Sequence, residues 1–192
     1  MAATVRSDVT RPSGPRLPSG TVSETNRQLP VFVYGTLRPG QPNWARLLAG
    51  RAERVLAGCL PGAVLLDCSH YPAAIERPGA GGAVGEVVWI RPPDWSAVLT
   101  ALDHLEGYAA HDPDRLYDRV VRPVSTADGP VDCWVYLAGR RLAGAGLPAL
   151  AGGDWIAYCA DRPRYQEHWR AVAEAGGRAG SPEEGAPGSA PG

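Results

Sequence analysis

Glu106 stands where a carboxylate is least expected. In the segment 94–107, Trp95, Leu99, Leu102 and Glu106 fall at i, i+4, i+7 and i+11. At about 100° per residue that spacing is close to one line down a helix. Asp94, after Pro92-Pro93, is a natural N-cap, and Gly107 is a natural residue to follow the C-cap. Asp103 falls at the edge of the apolar stripe, and His104 on the opposite, solvated face. Glu106 is therefore expected on the burying face and in the last turn, where the helix dipole is negative. Both effects disfavour the anion and raise its pKa, which is what a general acid–base needs near neutrality. The alternative is a frayed helix end, with Glu106 reaching water or pairing with Arg115 or Arg119.

A second segment with chemical potential is Tyr34-Gly35-Thr36-Leu37-Arg38-Pro39-Gly40. A strand that runs into a glycine-containing loop exposes successive backbone N–H groups, which hold an oxyanion or a carboxylate. It is not a phosphate loop, because neither GxxxxGK[ST] nor GxGxxG occurs. The chain has no lysine, so Schiff-base chemistry and a Walker-type phosphate lysine are excluded. His70, His104, His111 and His168 lack HExxH or HxH spacing, and no metal site is expected. Cys59, Cys68, Cys133 and Cys159 contain no CxxC pair and read as reduced thiols in apolar sites. A Cys–His pair needs only to meet in space, so spacing leaves that nucleophile open. Ser69 lacks a G-x-S-x-G elbow and reads as a turn residue. Glu76 and Glu86 are further acids, in a loop and at a strand start, where such groups are usually solvated.

These groups need a scaffold, and 192 residues are enough for one domain with tails. Residues 1–29 are rich in Pro, Ser, Thr and Arg, and 175–192 in Gly, Pro and Ala. Both are expected to be disordered tails around a domain at 30–174. With 19 basic and 20 acidic residues the net charge is −1, which gives no field to recruit nucleic acid or an anionic membrane. No apolar run approaches the ~20 residues that span a bilayer, and the first residues hold no signal-peptide core. A cytoplasmic protein is expected. All-Arg basic usage with 24 Gly and 19 Pro suggests a GC-rich bacterial genome. Strands are expected at 31–34, within 54–66, and at 85–90, with a hairpin of 117–125 and 131–137 around Asp128-Gly129. Helices are expected after Asn43, over 94–107, and after Asp161 with Tyr165, Trp169 and Val172 on one face. Strands that do not strictly alternate with helices indicate an α+β domain around a mixed sheet or barrel.

The run VFVYGTLRPGQPN at 31–43 resembles the opening of the γ-glutamyl cyclotransferase superfamily, in its γ-glutamylamine cyclotransferase and AIG2-like branch. Later landmarks follow in the family's order: HYPA at 70–73, GEV at 85–87, LDHLEGY at 102–108, YDR at 117–119, WVY at 134–136 and GDW at 153–155. YGTL followed at this distance by LDxxEGY is a fairly specific pair. The resemblance implies a small mixed β-barrel flanked by helices, with a cavity at one end. It implies that the α-amino group of a γ-glutamyl-amine or γ-glutamyl-amino acid attacks its own γ-amide carbonyl, giving 5-oxoproline and a free amine or amino acid with neither metal nor cofactor. It further implies that Glu106 is the general acid–base and that Tyr34, Gly35, Thr36 and Leu37 hold the glutamyl end of a small-molecule γ-glutamyl substrate. Tyr117 and Arg119 match the family's Y-x-R element. Tyr117 would line the pocket or meet Glu106, and Arg119 would counter a carboxylate or form a structural ion pair. Tyr71, before Pro72, would shape a pocket wall or pack a turn. Arg38-Pro39 stands where some relatives carry Lys-Arg. The alternative on the same fold is a non-catalytic binding or partner module. Neither the released amine nor the oligomeric state is legible at this level.

Overall fold

The computed structural model describes residues 28–178, with side chains through 172. The tails expected at 1–29 and 175–192 therefore fall almost wholly outside the described residues. The chain runs through β1 (Val31–Val33), α1 (Pro42–Leu47), β2 (Ala52–Leu60), β3 (Ala63–Asp67), β4 (Pro72–Glu76) and β5 (Ala83–Ile90). A 3₁₀ turn at Pro92–Asp94 then leads into α2 (Trp95–Leu105), β6 (Tyr117–Thr126) and β7 (Gly129–Ala138). The short α3 (Arg140–Ala143) and α4 (Trp155–Ala160) follow, and α5 (Pro163–Arg178) reaches past the expected domain end at 174.

Five strands close into a barrel in the order β1-β5-β2-β6-β7. Every pairing in it is antiparallel except β1 with β7, which meet in parallel at Val31 and Trp134. The strands β3 and β4 form a separate hairpin. This is the expected α+β class, a small mixed barrel flanked by helices.

Strand periodicity explains how so few residues build two cores. Successive side chains leave a strand on opposite faces. Phe32, Val87, Cys133 and Val135 join Leu60 and Val124 in one buried cluster that draws on all five barrel strands. Their neighbours Val31, Val33, Val88, Trp134 and Tyr136 join a second cluster with Trp95, Val98, Leu99 and Leu102 of α2. The helix stripe read from the sequence thus packs on the outer face of the barrel.

Several local expectations are corrected. Asn43 does not cap α1: Pro42 occupies the first helical turn and Gln41 precedes it, because proline's fixed φ suits the first helical position. Asp94 stands at the N-cap of α2 but accepts no capping bond; its carboxylate pairs with Arg91 instead. Asp161 closes α4, whose N-cap is Asp154, accepting from the N–H groups of Ile156 and Ala157. Val172 is exposed, unlike Tyr165. Residues 72–76 were not expected as a strand.

Gly85 lets β5 pass close against β1. A Cβ there would lie 2.2 Å from the Val33 carbonyl oxygen and 2.8 Å from the Phe32 ring. Neither backbone nor a packed ring yields cheaply. Gly85→Ala is expected to cost about 3 kcal/mol, measured as a lower urea midpoint with unchanged slope.

Candidate active site

The loop that leaves β1 is held by a buried cation. Arg38, only 7 % exposed, donates from Nε and Nη2 to the two Glu86 oxygens, each at 2.8 Å, and from Nη1 to Asp154 Oδ1 at 2.7 Å. A planar fork bound bidentate to one carboxylate and singly to another fixes both position and orientation. The same Asp154 carboxylate caps α4. Glu86 is therefore neither at a strand start nor solvated, but half-buried within β5 as a partner of this cation.

Between β1 and Arg38, the loop folds on itself. Asn43 Nδ2 donates to Thr36 Oγ1 at 2.9 Å, and the Asn43 N–H to the Thr36 carbonyl at 3.0 Å. Gly35 passes so close to Pro72 that a Cβ would lie 2.7 Å from the proline ring. Among the described residues, no acceptor takes up the backbone N–H groups of Gly35, Thr36 or Leu37. Unpaired donors along a fixed turn suit an anionic group.

Glu106 reaches the same place from α2. The helix ends in paired bonds, Tyr108 N–H to the Asp103 carbonyl at 2.8 Å and Gly107 N–H to the His104 carbonyl at 3.3 Å, with Gly107 at φ 60°. This is the Schellman arrangement, in which the residue after the C-cap adopts the left-handed conformation that glycine takes without strain. Glu106 is the C-cap itself, so its direction is set by a closed turn and not by a frayed end.

Loop and helix end share a cavity of about 310 Å³, near the lower end of the ~300–1,000 Å³ usual for small-molecule sites. Tyr34, Gly35, Thr36, Leu37, Tyr71, Glu106 and Tyr117 all line it. Glu106 is the only charged residue among those lining it. Arg115 binds Asp118, and Arg119 binds Asp103 at 2.7 Å, so neither arginine pairs with Glu106. Burial with no opposing cation pushes the Glu106 carboxyl up to about 7. Its charge is also felt by the phenols of Tyr34, Tyr71, Tyr117 and Tyr136, each of which burial already shifts upward.

The tyrosines are anchored. Tyr34 donates to the Tyr136 carbonyl at 2.6 Å and accepts from the Ala74 N–H at 3.3 Å. Tyr117 donates to the Pro72 carbonyl at 3.0 Å, not to Glu106. Tyr136 donates to Asp103 Oδ1 at 2.7 Å.

Arg119 is the exception among the expected site residues. Its guanidinium is sandwiched between Tyr108 and Trp134, with the carbon 4.9 Å from each ring centroid, and it does not line the cavity. It is a structural cation, held by Asp103 and stacked on aromatic faces. Asn43, Tyr136 and Trp169 line the cavity without having been picked from the sequence as site residues. Trp169 had been visible only as part of an apolar helix face. Among the thiols, burial pushes Cys68 up to about 11 and both Cys133 and Cys159 up to about 12, which disfavours a nucleophilic thiolate.

The closed barrel thus borders a cavity whose lining carries one uncompensated carboxylate and three loop amides with no acceptor among the described residues. The family described as gamma-glutamyl cyclotransferase, AIG2-like, matches residues 31–157, and the chain belongs to it. A gamma-glutamylamine cyclotransferase from Bos taurus is 37% identical over 128 residues, covering 62% of this chain and 71% of the relative. The solved structure of YkqA from Bacillus subtilis aligns at a TM-score of 0.50 and 20% identity, covering 68% of this chain but only 40% of that one. An AIG2-like protein from Mus musculus aligns at 0.47 and 20% identity, covering 66% and 87% of the two chains. No helix among the described residues is long and apolar enough to cross a membrane.

Two outcomes follow from this geometry. Arg38→Met strands the Glu86 and Asp154 carboxylates and is expected to cost about 3 kcal/mol, measured by chemical unfolding. The raised pKa of Glu106 means that the folded chain holds this proton more tightly than the unfolded one. The stability it contributes is full below pH ~4.5 and is lost as pH rises through about 7. Glu106→Gln is therefore expected to match wild type near pH 4.5 and to exceed it by up to ~3 kcal/mol at pH 8, as read from paired urea titrations.

Proposed function

We propose that the protein cyclises γ-glutamyl amines, releasing 5-oxoproline and the amine. Glu106 is the general acid–base, and the N–H groups of Gly35, Thr36 and Leu37 receive the glutamyl end and the developing oxyanion. The observation that carries this reading is the Glu106 carboxyl, raised to about 7 by burial with no cation beside it, in one cavity with that loop.

The substrate's α-ammonium must lose a proton before its nitrogen can attack. The Glu106 carboxylate takes it, and a base whose pKa lies near the working pH does so most efficiently. The freed nitrogen pair forms a bond to the γ-carbonyl carbon, and the C=O π pair moves to oxygen. Fixed amide donors stabilise that oxyanion without reorganising, and losing one such donor costs ~10²–10³ in rate. The proton on Glu106 passes to the amide nitrogen of the leaving group as the tetrahedral centre collapses and the C–N bond breaks. A second proton leaves the ring nitrogen by the same carboxylate, so the amine departs as its ammonium ion. Nucleophile and electrophile belong to one molecule, so the remaining task is to hold the substrate folded in attack geometry. A confined cavity with bolted tyrosine walls supplies that restraint.

Glu106→Gln keeps the shape and removes the base. Loss of 5-oxoproline release from a γ-glutamyl amine by ~10²-fold or more is expected, with wild-type turnover falling as pH drops through about 7. Chromatographic assay of 5-oxoproline across pH 5–9 reads both. Equal release by the variant places the base elsewhere, and no release by wild type favours a pocket that binds without chemistry.

A further inference from the structure

A phenol has one proton to donate and lone pairs with which to accept. Tyr117 gives its proton to the Pro72 carbonyl at 3.0 Å, and a carbonyl oxygen can only accept. Tyr136 gives its proton to Asp103 Oδ1 at 2.7 Å, and Arg119, whose side chain is 6 % exposed, binds the other Asp103 oxygen at 2.7 Å. Among the described residues, no N–H or O–H donates to either of these phenol oxygens. Tyr34 differs, because its oxygen already accepts from the Ala74 N–H. Tyr117 and Tyr136 line the cavity together with Glu106, so two phenols and a carboxylate can meet a ligand there as acceptors alone. The same lining holds donors elsewhere. They are the N–H groups of Gly35, Thr36 and Leu37, and the Thr36 hydroxyl, whose oxygen already takes the Asn43 Nδ2–H at 2.9 Å.

We infer that the phenol oxygens of Tyr117 and Tyr136 receive the substrate's α-ammonium, and that Asp103 and Arg119 serve this by holding Tyr136 with its proton turned away. This rests on the γ-glutamyl reading above and gives a place to the nitrogen that does the attacking. An ammonium carries three N–H donors and no acceptor. Glu106 takes one of them, and the two phenol oxygens are open to the other two. The lining holds no cation to repel the group, and the Glu106 charge reaches both phenols. Tyr117 and Tyr136 are buried, where a hydrogen bond from a charged donor is stronger than in water. The substrate's α-carboxylate has no donor to meet in this corner and would face Glu106 there, which directs it to the loop amides. The two polar groups on the substrate's α-carbon are thereby sorted by the direction of the hydrogen bonds that each half of the cavity can make.

γ-Glutamyl-butylamine and its des-amino analogue, N-butylglutaramic acid, separate this role from the shape of the walls. The analogue keeps the carboxylate, the amide and the butyl group and lacks only the amine. Having no nucleophile, it is measured as an inhibitor of 5-oxoproline release by the full chain. Tyr117→Phe and Tyr136→Phe are each expected to lose about tenfold or more in kcat/KM on γ-glutamyl-butylamine. The inhibition constant of the analogue is expected to stay within about twofold of wild type in both, because the ring persists and the analogue has no ammonium to lose. Tyr117→Phe also leaves the Pro72 carbonyl without its donor, and the analogue reports any deformation that follows. Inhibition that weakens in step with kcat/KM, or kcat/KM unchanged in either variant, overturns the inference while the reaction stands. Absence of 5-oxoproline from wild type with this substrate, and with a wider panel of γ-glutamyl amines, overturns the underlying reading instead.

Discussion

The site depends first on where one buried cation is spent. Arg38 lies in the loop after β1, yet its guanidinium is shared between Glu86 on β5 and Asp154 at the start of α4. A cation withdrawn from water this far is tolerated only with its hydrogen bonds satisfied, and here both carboxylates must arrive for that to hold. The loop, the barrel wall and the first turn of α4 are therefore mutually conditional. With Arg38 committed to these partners, the loop amides are held in place while the cavity itself stays free of positive charge.

That freedom from positive charge is what Glu106 requires. The arginines within reach along the sequence are each taken by another acid, Arg115 by Asp118 and Arg119 by Asp103. Asp103 sits three residues before Glu106 on the same helix and accepts from both Arg119 and Tyr136. Burial raises its pKa and these two bonds oppose that rise, whereas nothing offsets burial at Glu106. Two acids one turn apart on a single helix are thereby sorted, one into a bonded framework and one left without a cation, by the partners that the barrel brings to each.

The sequence showed most clearly what local rules determine. The α2 stripe, its glycine stop and the anomaly of Glu106 follow from helical period and cap chemistry, and the Schellman turn at Gly107 agrees with them. Strands with β-branched runs were legible for the same reason. β4 was not, because Pro72, Ala73 and Ala74 carry little strand preference and are extended by pairing with β3. The family motifs led to seven of the cavity residues, but they could not reveal that Arg119 stacks on Trp134 and Tyr108. An ion pair's choice of partner depends on how α2 packs on the barrel, which spacing does not encode. Trp169 was visible as part of an apolar face, yet nothing local says which surface such a face covers.

The parallel contact of β1 with β7 has a consequence for how the molecule comes into being. It joins Val31 to Trp134, and the Tyr34 hydroxyl to the Tyr136 carbonyl, 102 positions apart along the chain. Contacts at that separation carry a loop-closure cost that must be met before they reward the chain, so they are characteristic of slow steps in folding. β1 emerges first during synthesis and waits for the last barrel strand to be made. The pocket is consequently a property of the closed ring, since its lining draws on β1, the start of β6 and β7 together.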